Sequence, residues 1–137
     1  MFEINYLAIL VGTLLYHGLG ALWYSKLLFA DRWMELEGIN AEQIDASKER
    51  GMAVPLAGGF LVALIVTGTL AVLISLLPIQ TAAQGMLVTA LIAFGPVLAA
   101  QLPNYLFTDK PLALWGINAG YHYVATLAAG AVISFWR

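Results

Sequence analysis

The sequence predicts an all-α fold, a four-helix transmembrane bundle, and three observations predict it: few charges, long charge-free stretches, and turn residues that divide them. Of 137 residues, 61% are hydrophobic and 10% charged, whereas a soluble domain of this length carries about 25% charged residues. Too little polar surface is available to cover a water-facing globule, so lipid is the expected solvent. No Asp, Glu, Lys or Arg occurs from Ile4 to Ser25, from Met52 to Thr108 or from Leu112 to Trp136. A spanning helix needs roughly 20 apolar residues, so the outer stretches hold one span each and the middle one holds two. Leu77-Pro78-Ile79-Gln80-Thr81 divides the middle stretch as a turn. The expected spans are 4–25, 52–77, 81–107 and 112–136, in one membrane domain over 1–137 with a connecting loop at 26–51.

The first span reads as a retained helix. Its N-terminus carries Glu3 in place of a basic cluster, its apolar run is long, and no small-residue cleavage site follows. The loop after it carries four basic and six acidic residues, which account for the whole net charge of −2. Its first half mixes apolar bulk with charge and is expected to lie at the interface with Trp33 as an anchor. Gly38 then breaks the chain, Asn40 and Gln43 have the spacing of a capping box, and Gly51 is a stop before the second span. This loop reads as a solvated connector, or alternatively as a docking surface. In the third span Pro96 predicts a kink, because it frees a carbonyl that a neighbouring side chain must satisfy.

An even number of spans places both termini on one side. Lys26, Arg32, Lys48 and Arg50 in the long loop and Lys110 in the short one face Arg137 and the terminal amine on the other. The positive-inside rule then puts the loops in the cytoplasm and both termini outside. A weak repeat also runs through the chain. Leu28-Phe29-Ala30-Asp31-Arg32 closes the first span and Leu106-Phe107-Thr108-Asp109-Lys110 the third, which reads as two hairpins of the same orientation.

With no charge in the spans, neutral polar residues are the candidates for chemistry. His17, Gln101, Asn104, Asn118 and His122 all fall in the cytoplasmic half of their spans. The simpler reading is interhelical hydrogen bonding, worth about 0.6–2 kcal/mol each. The sharper one is a shared polar cavity, since polar groups within lipid are costly. His17 and His122, each roughly 12–16 Å from the cytoplasmic boundary by helical rise, are also weak candidates for axial ligation of a b-type haem. Two histidines without nearby Cys, Asp or Glu make an incomplete zinc site, so no metal is expected. Gly12, Gly20, Gly116 and Gly120 are helix-packing candidates, within the chain or between copies.

Other classes are disfavoured. The net charge of −2 gives no footing for nucleic acid. There is no cysteine, which removes disulfides and thiolate chemistry. Phosphate loops, nucleophile elbows, HExxH and paired carboxylates within a span are absent, so the chain is read as no enzyme, with no cofactor. A small multidrug exporter would need an embedded Glu in the first span, and Glu3 lies at its edge.

Ile4-Asn5-Tyr6-Leu7-Ala8, then Trp23-Tyr24-Ser25, Leu28-Phe29 and Trp33, resemble the opening of a bacterial membrane family called domain of unknown function 1761. Leu106-Phe107, Lys110-Pro111, Asn118 and Gly120-Tyr121 resemble its C-terminal half. The resemblance implies a small four-helix inner-membrane protein and no established activity. The first expectation for function is a non-enzymatic accessory or scaffold subunit that packs with itself as a homo-oligomer or with a larger membrane complex, in contact with membrane lipids. The alternatives are a small transporter or a lipid- or small-molecule-binding protein using the polar cavity, and a haem protein.

Overall fold

The computed structural model describes residues 3–136. Helix α1 (Tyr6–Trp23) starts at Asn5, whose side chain accepts from the Ala8 amide. Two short helices follow in the loop, α2 (Ala30–Glu37) and α3 (Ala41–Glu49). Gly38 ends α2 in the left-handed conformation at φ 69°. Asn40 and Gln43 form the expected capping box at the start of α3. Gly51, at φ 106°, separates α3 from α4 (Ala53–Leu76).

The next span starts at a second capping box, formed by Thr81 and Gln84, as α5 (Ala82–Ile92). It then loosens into a π-helical stretch, Ala93–Leu98, with Pro96 inside, tightens into a 3-10 turn, Ala99–Gln101, and ends as α6 (Leu102–Phe107). The kink expected at Pro96 is thus a widened turn, one of the usual responses of a helix to a missing donor. The side-chain amide of Gln101 donates to the Val97 carbonyl at 2.6 Å and the Trp115 indole to the Leu98 carbonyl at 3.2 Å. These two polar side chains give the carbonyls of the irregular stretch side-chain partners within the protein. Helix α7 (Leu112–Phe135) closes the chain.

Among the described residues, three helical runs are long and apolar enough to cross a membrane: Tyr6–Trp23, Ala53–Leu76 and Ala82–Phe107. Helix α7 has 24 residues, as many as α4, but Trp115, Asn118, Tyr121, His122 and Tyr123 make it more polar. Its packing explains this composition. Helix α7 touches α1, α4 and α5, and also the π-helical stretch. Ala119, Ala125 and Ala129 on it are fully buried. The other three runs turn large apolar side chains outward, among them Leu14, Leu61, Ile65, Leu87 and Phe94. A helix lined by neighbours needs small residues and satisfied polar groups more than it needs lipid-facing bulk.

Close approach depends on glycines at specific points. A Cβ on Gly12 would lie 2.8 Å from Thr67 Cγ2, where α1 meets α4. A Cβ on Gly130 would overlap the Thr89 side chain, where α7 meets α5. The two halves suggested by the repeat do not meet symmetrically. α1 lies along α7, whereas the corresponding contact between α5 and α4 is slight.

An alanine in a helix is ordinarily favoured over glycine by about 1 kcal/mol. Gly130→Ala should reverse that sign and lower stability by about 1–3 kcal/mol through overpacking. Thr89→Ala in the same chain should recover part of the loss, because it removes the nearer Cγ2 and Oγ1 and keeps the Cβ at 2.8 Å. Gly58→Ala, at a position with open space around it, should be neutral or stabilising. Thermal unfolding of the three proteins in one detergent measures this.

Candidate functional site

The polar side chains of α1 and α7 meet in two layers. In the deeper layer the Tyr16 hydroxyl and His122 Nδ1 are 2.7 Å apart, and the Tyr121 hydroxyl donates to the Tyr16 carbonyl at 3.1 Å. Thr126 Oγ1 donates to the His122 carbonyl at 2.6 Å. In the layer nearer the loops the Tyr24 hydroxyl donates to Asn118 Oδ1 at 2.8 Å, and Asn118 Nδ2 donates to the Tyr105 hydroxyl at 3.0 Å. Asn118 therefore ties α7 to α1 and α6 at once. The Trp23 indole donates to the Ile117 carbonyl at 2.8 Å. Ring contacts join the layers: Tyr16 to Tyr121 at 5.6 Å, Tyr121 to Tyr24 at 5.7 Å and Tyr24 to Trp33 at 5.9 Å, all edge-on.

Above Asn118 and Tyr24 a cavity of about 770 Å³ opens between α1, α7, the start of α4 and the two loop helices. Its walls are mostly apolar: Ala30, Trp33, Met34, Ile44, Met52 and Pro55. Three charged residues, Lys26, Glu37 and Lys48, line it as well. Ligand cavities commonly measure about 300–1,000 Å³, with apolar walls and a few placed polar groups. A gap at the opposite end, beside Glu3, Asn5 and Trp136, has room of about 10 Å³, no more than one water needs.

The five residues expected to share one polar cavity do not share one. Asn118 lines the large cavity. Gln101 and Asn104 line a separate groove of about 240 Å³ along α6, with Tyr105, Thr108 and Lys110. His122 is turned to Tyr16 between α1 and α7. His17 lies on another side of α1, against Phe60 at 5.9 Å and beside Gly59 of α4. Neighbouring residues of a helix point about 100° apart, so His17 cannot follow Tyr16 toward α7. The two imidazoles occupy different helix interfaces, and the paired axial arrangement weighed for haem is not formed. Among the described residues, no group of three His, Cys, Asp or Glu side chains is placed to hold a metal ion.

The packing glycines also divide. Gly12 faces Thr67 and Ala129, Gly20 faces Tyr121, and Gly120 faces Trp23, all within the chain. A methyl group added at Gly116 would meet nothing within 4 Å, so this glycine makes no close approach to another helix of the chain. Trp33, expected as an interfacial anchor, packs on Tyr24 and walls the cavity. Lys26, Glu37 and Lys48 escape a reading by span, because they lie in the connecting loop, far along the sequence from Asn118. The apolar bulk in the charged loop is the signal that could have found them.

Comparison with known proteins places the chain. A family model described as a protein of unknown function (DUF1761) matches residues 7–134. The protein belongs to that family. No curated protein and no solved structure matches it.

The Tyr16 and His122 contact should behave as an interhelical hydrogen bond. Tyr16→Phe should cost about 1 kcal/mol of stability. Combined with His122→Phe, it should cost less than the sum of the two single changes. A double-mutant cycle from thermal unfolding in detergent tests this, and full additivity would argue against the bond.

Proposed function

We propose that this is a four-span membrane protein without enzymatic activity that binds an amphipathic small molecule or lipid in the cavity beneath its loop helices. The observation that carries the reading is the cavity itself, with its apolar walls, its three charged residues and a floor formed by Tyr24 and Asn118. Charge supports the placement of that cavity at the cytoplasmic face of the membrane, which on this reading is a bacterial inner membrane. Lys26, Arg32, Lys48, Arg50 and Lys110 all lie in the segments at the cavity end. Glu3 is the charged residue at the other end among the described residues, and Arg137 lies outside them. Both termini then lie outside the cytoplasm. Helix α7 is the fourth span, shielded from lipid along much of its length by the other three.

The accessory or scaffold reading has a narrower footing. Gly12, Gly20 and Gly120 are occupied by contacts within the chain, which leaves Gly116 on α7, with Gly58 and Gly68 on α4, open to a second copy or a partner. Crosslinking in membranes would support that reading if Gly116→Leu abolished a dimer band.

Absence of cysteine makes the orientation easy to test. Ser47→Cys, in the loop helix α3, should react with a membrane-impermeant maleimide in inside-out vesicles and stay unlabelled in intact cells. Binding is tested by native mass spectrometry of protein purified in mild detergent. A bound amphiphile should be seen on the wild type and be lost from Ala30→Trp, which fills the cavity. Equal retention by both proteins would move the ligand elsewhere and defeat the reading.

A further inference from the structure

The loop is acidic in total, with six acidic and four basic residues, but the part of it that faces the cavity is not. Two lysines and one glutamate line the space. Arg32 and Glu35, by contrast, pair with each other on the exposed side of α2 at 2.8 Å. Among the described residues, Lys26, Glu37 and Lys48 form no ion pair, although Glu37 is half-buried at the cavity wall. A half-buried carboxylate beside apolar walls is unfavourable unless a cation meets it. The two ammonium groups likewise offer donors to an anion without satisfying the glutamate.

Packing points the same way. Helix α3 buries none of its residues, and its Ile44 faces the cavity. The helix is joined to the rest of the chain through Gly38 and Gly51, both at positive φ. A molecule in the cavity would add apolar contact to Ile44 and Met34, which are half-buried, and to Met52, which is exposed.

Resting on the cavity reading above, we propose that the ligand is a zwitterionic amphiphile of the phosphate–ammonium type. Its anionic group is taken by Lys26 and Lys48, its ammonium by Glu37, and its apolar part lies against Trp33, Met34 and Met52. The lysines alone would accept any anionic lipid. Glu37 is the residue that selects, because it repels a purely anionic headgroup and attracts one that carries a cation beside the phosphate.

The test uses the full chain in micelles doped with equal amounts of phosphatidylethanolamine and phosphatidylglycerol of the same acyl chains, read by native mass spectrometry. Wild-type protein should retain the ethanolamine lipid roughly tenfold over the glycerol lipid. Glu37→Gln should bring that ratio to about one with retention intact, as expected when a single charge sets the preference. Lys26→Gln with Lys48→Gln should lower retention of both lipids. Soluble phosphoethanolamine at the same concentration should not displace the lipid, and displacement would overturn the role of the apolar part. Equal or greater retention of phosphatidylglycerol by the wild type would overturn the zwitterion and leave the cavity reading standing. Retention of neither lipid, together with no bound amphiphile after purification, would overturn both. Thermal unfolding of each variant guards against misfolding. Should the double lysine variant fail to fold, Lys26→Gln alone carries that arm.

Discussion

A polar group inside lipid must find its partner within the protein, and that constraint shapes this molecule more than any other. Helix α7 carries the largest share of such groups, so it is the helix the others surround. Its alanines and Gly130 let α1, α4 and α5 come close, and closeness lets Tyr16 reach His122 and Tyr24 reach Asn118. The three more apolar runs then present leucines and phenylalanines outward, where lipid requires nothing of them but bulk.

The same constraint explains the broken third run. Pro96 and Pro103 each remove a backbone donor, and the backbone loosens and then tightens between them. Gln101 and Trp115 cover two of the carbonyls in this region. Gln101 is thus absorbed by local structure, which leaves Asn118 as the predicted polar residue that borders the large cavity. The widened turn leads into α6, where Tyr105 meets Asn118.

Much of this was legible in the sequence. Charge-free length located the apolar runs to within two residues at each edge, because lipid exposure forbids charge along the whole of a span. Asn40, Gln43, Gly38 and Gly51 announced α3 and its ends, since caps and left-handed turns depend on local residues alone. The site was legible only in part. Shared depth along the membrane grouped His17 with His122, but depth says nothing of direction around a helix, and His17 faces α4. Helices buried in lipid are apolar all round, so periodicity supplies no bearing. The cavity was hidden for a different reason. It is walled by residues of the loop, the end of α1, the start of α4 and Asn118 of α7, a set that only the folded path of 24–55 against α7 brings together.

Asn5 donates its side-chain amide to the Trp136 carbonyl at 2.8 Å, and Ser75 reaches the Glu3 carbonyl beside it. The first and last described turns of the chain are therefore clasped together, at the pole farthest from the cavity. A tether, a fluorescent protein or a solid support attached at either end would arrive at that one pole and leave the mouth of the cavity clear. Two copies could also be strung in tandem with a short linker, each keeping its loop helices free.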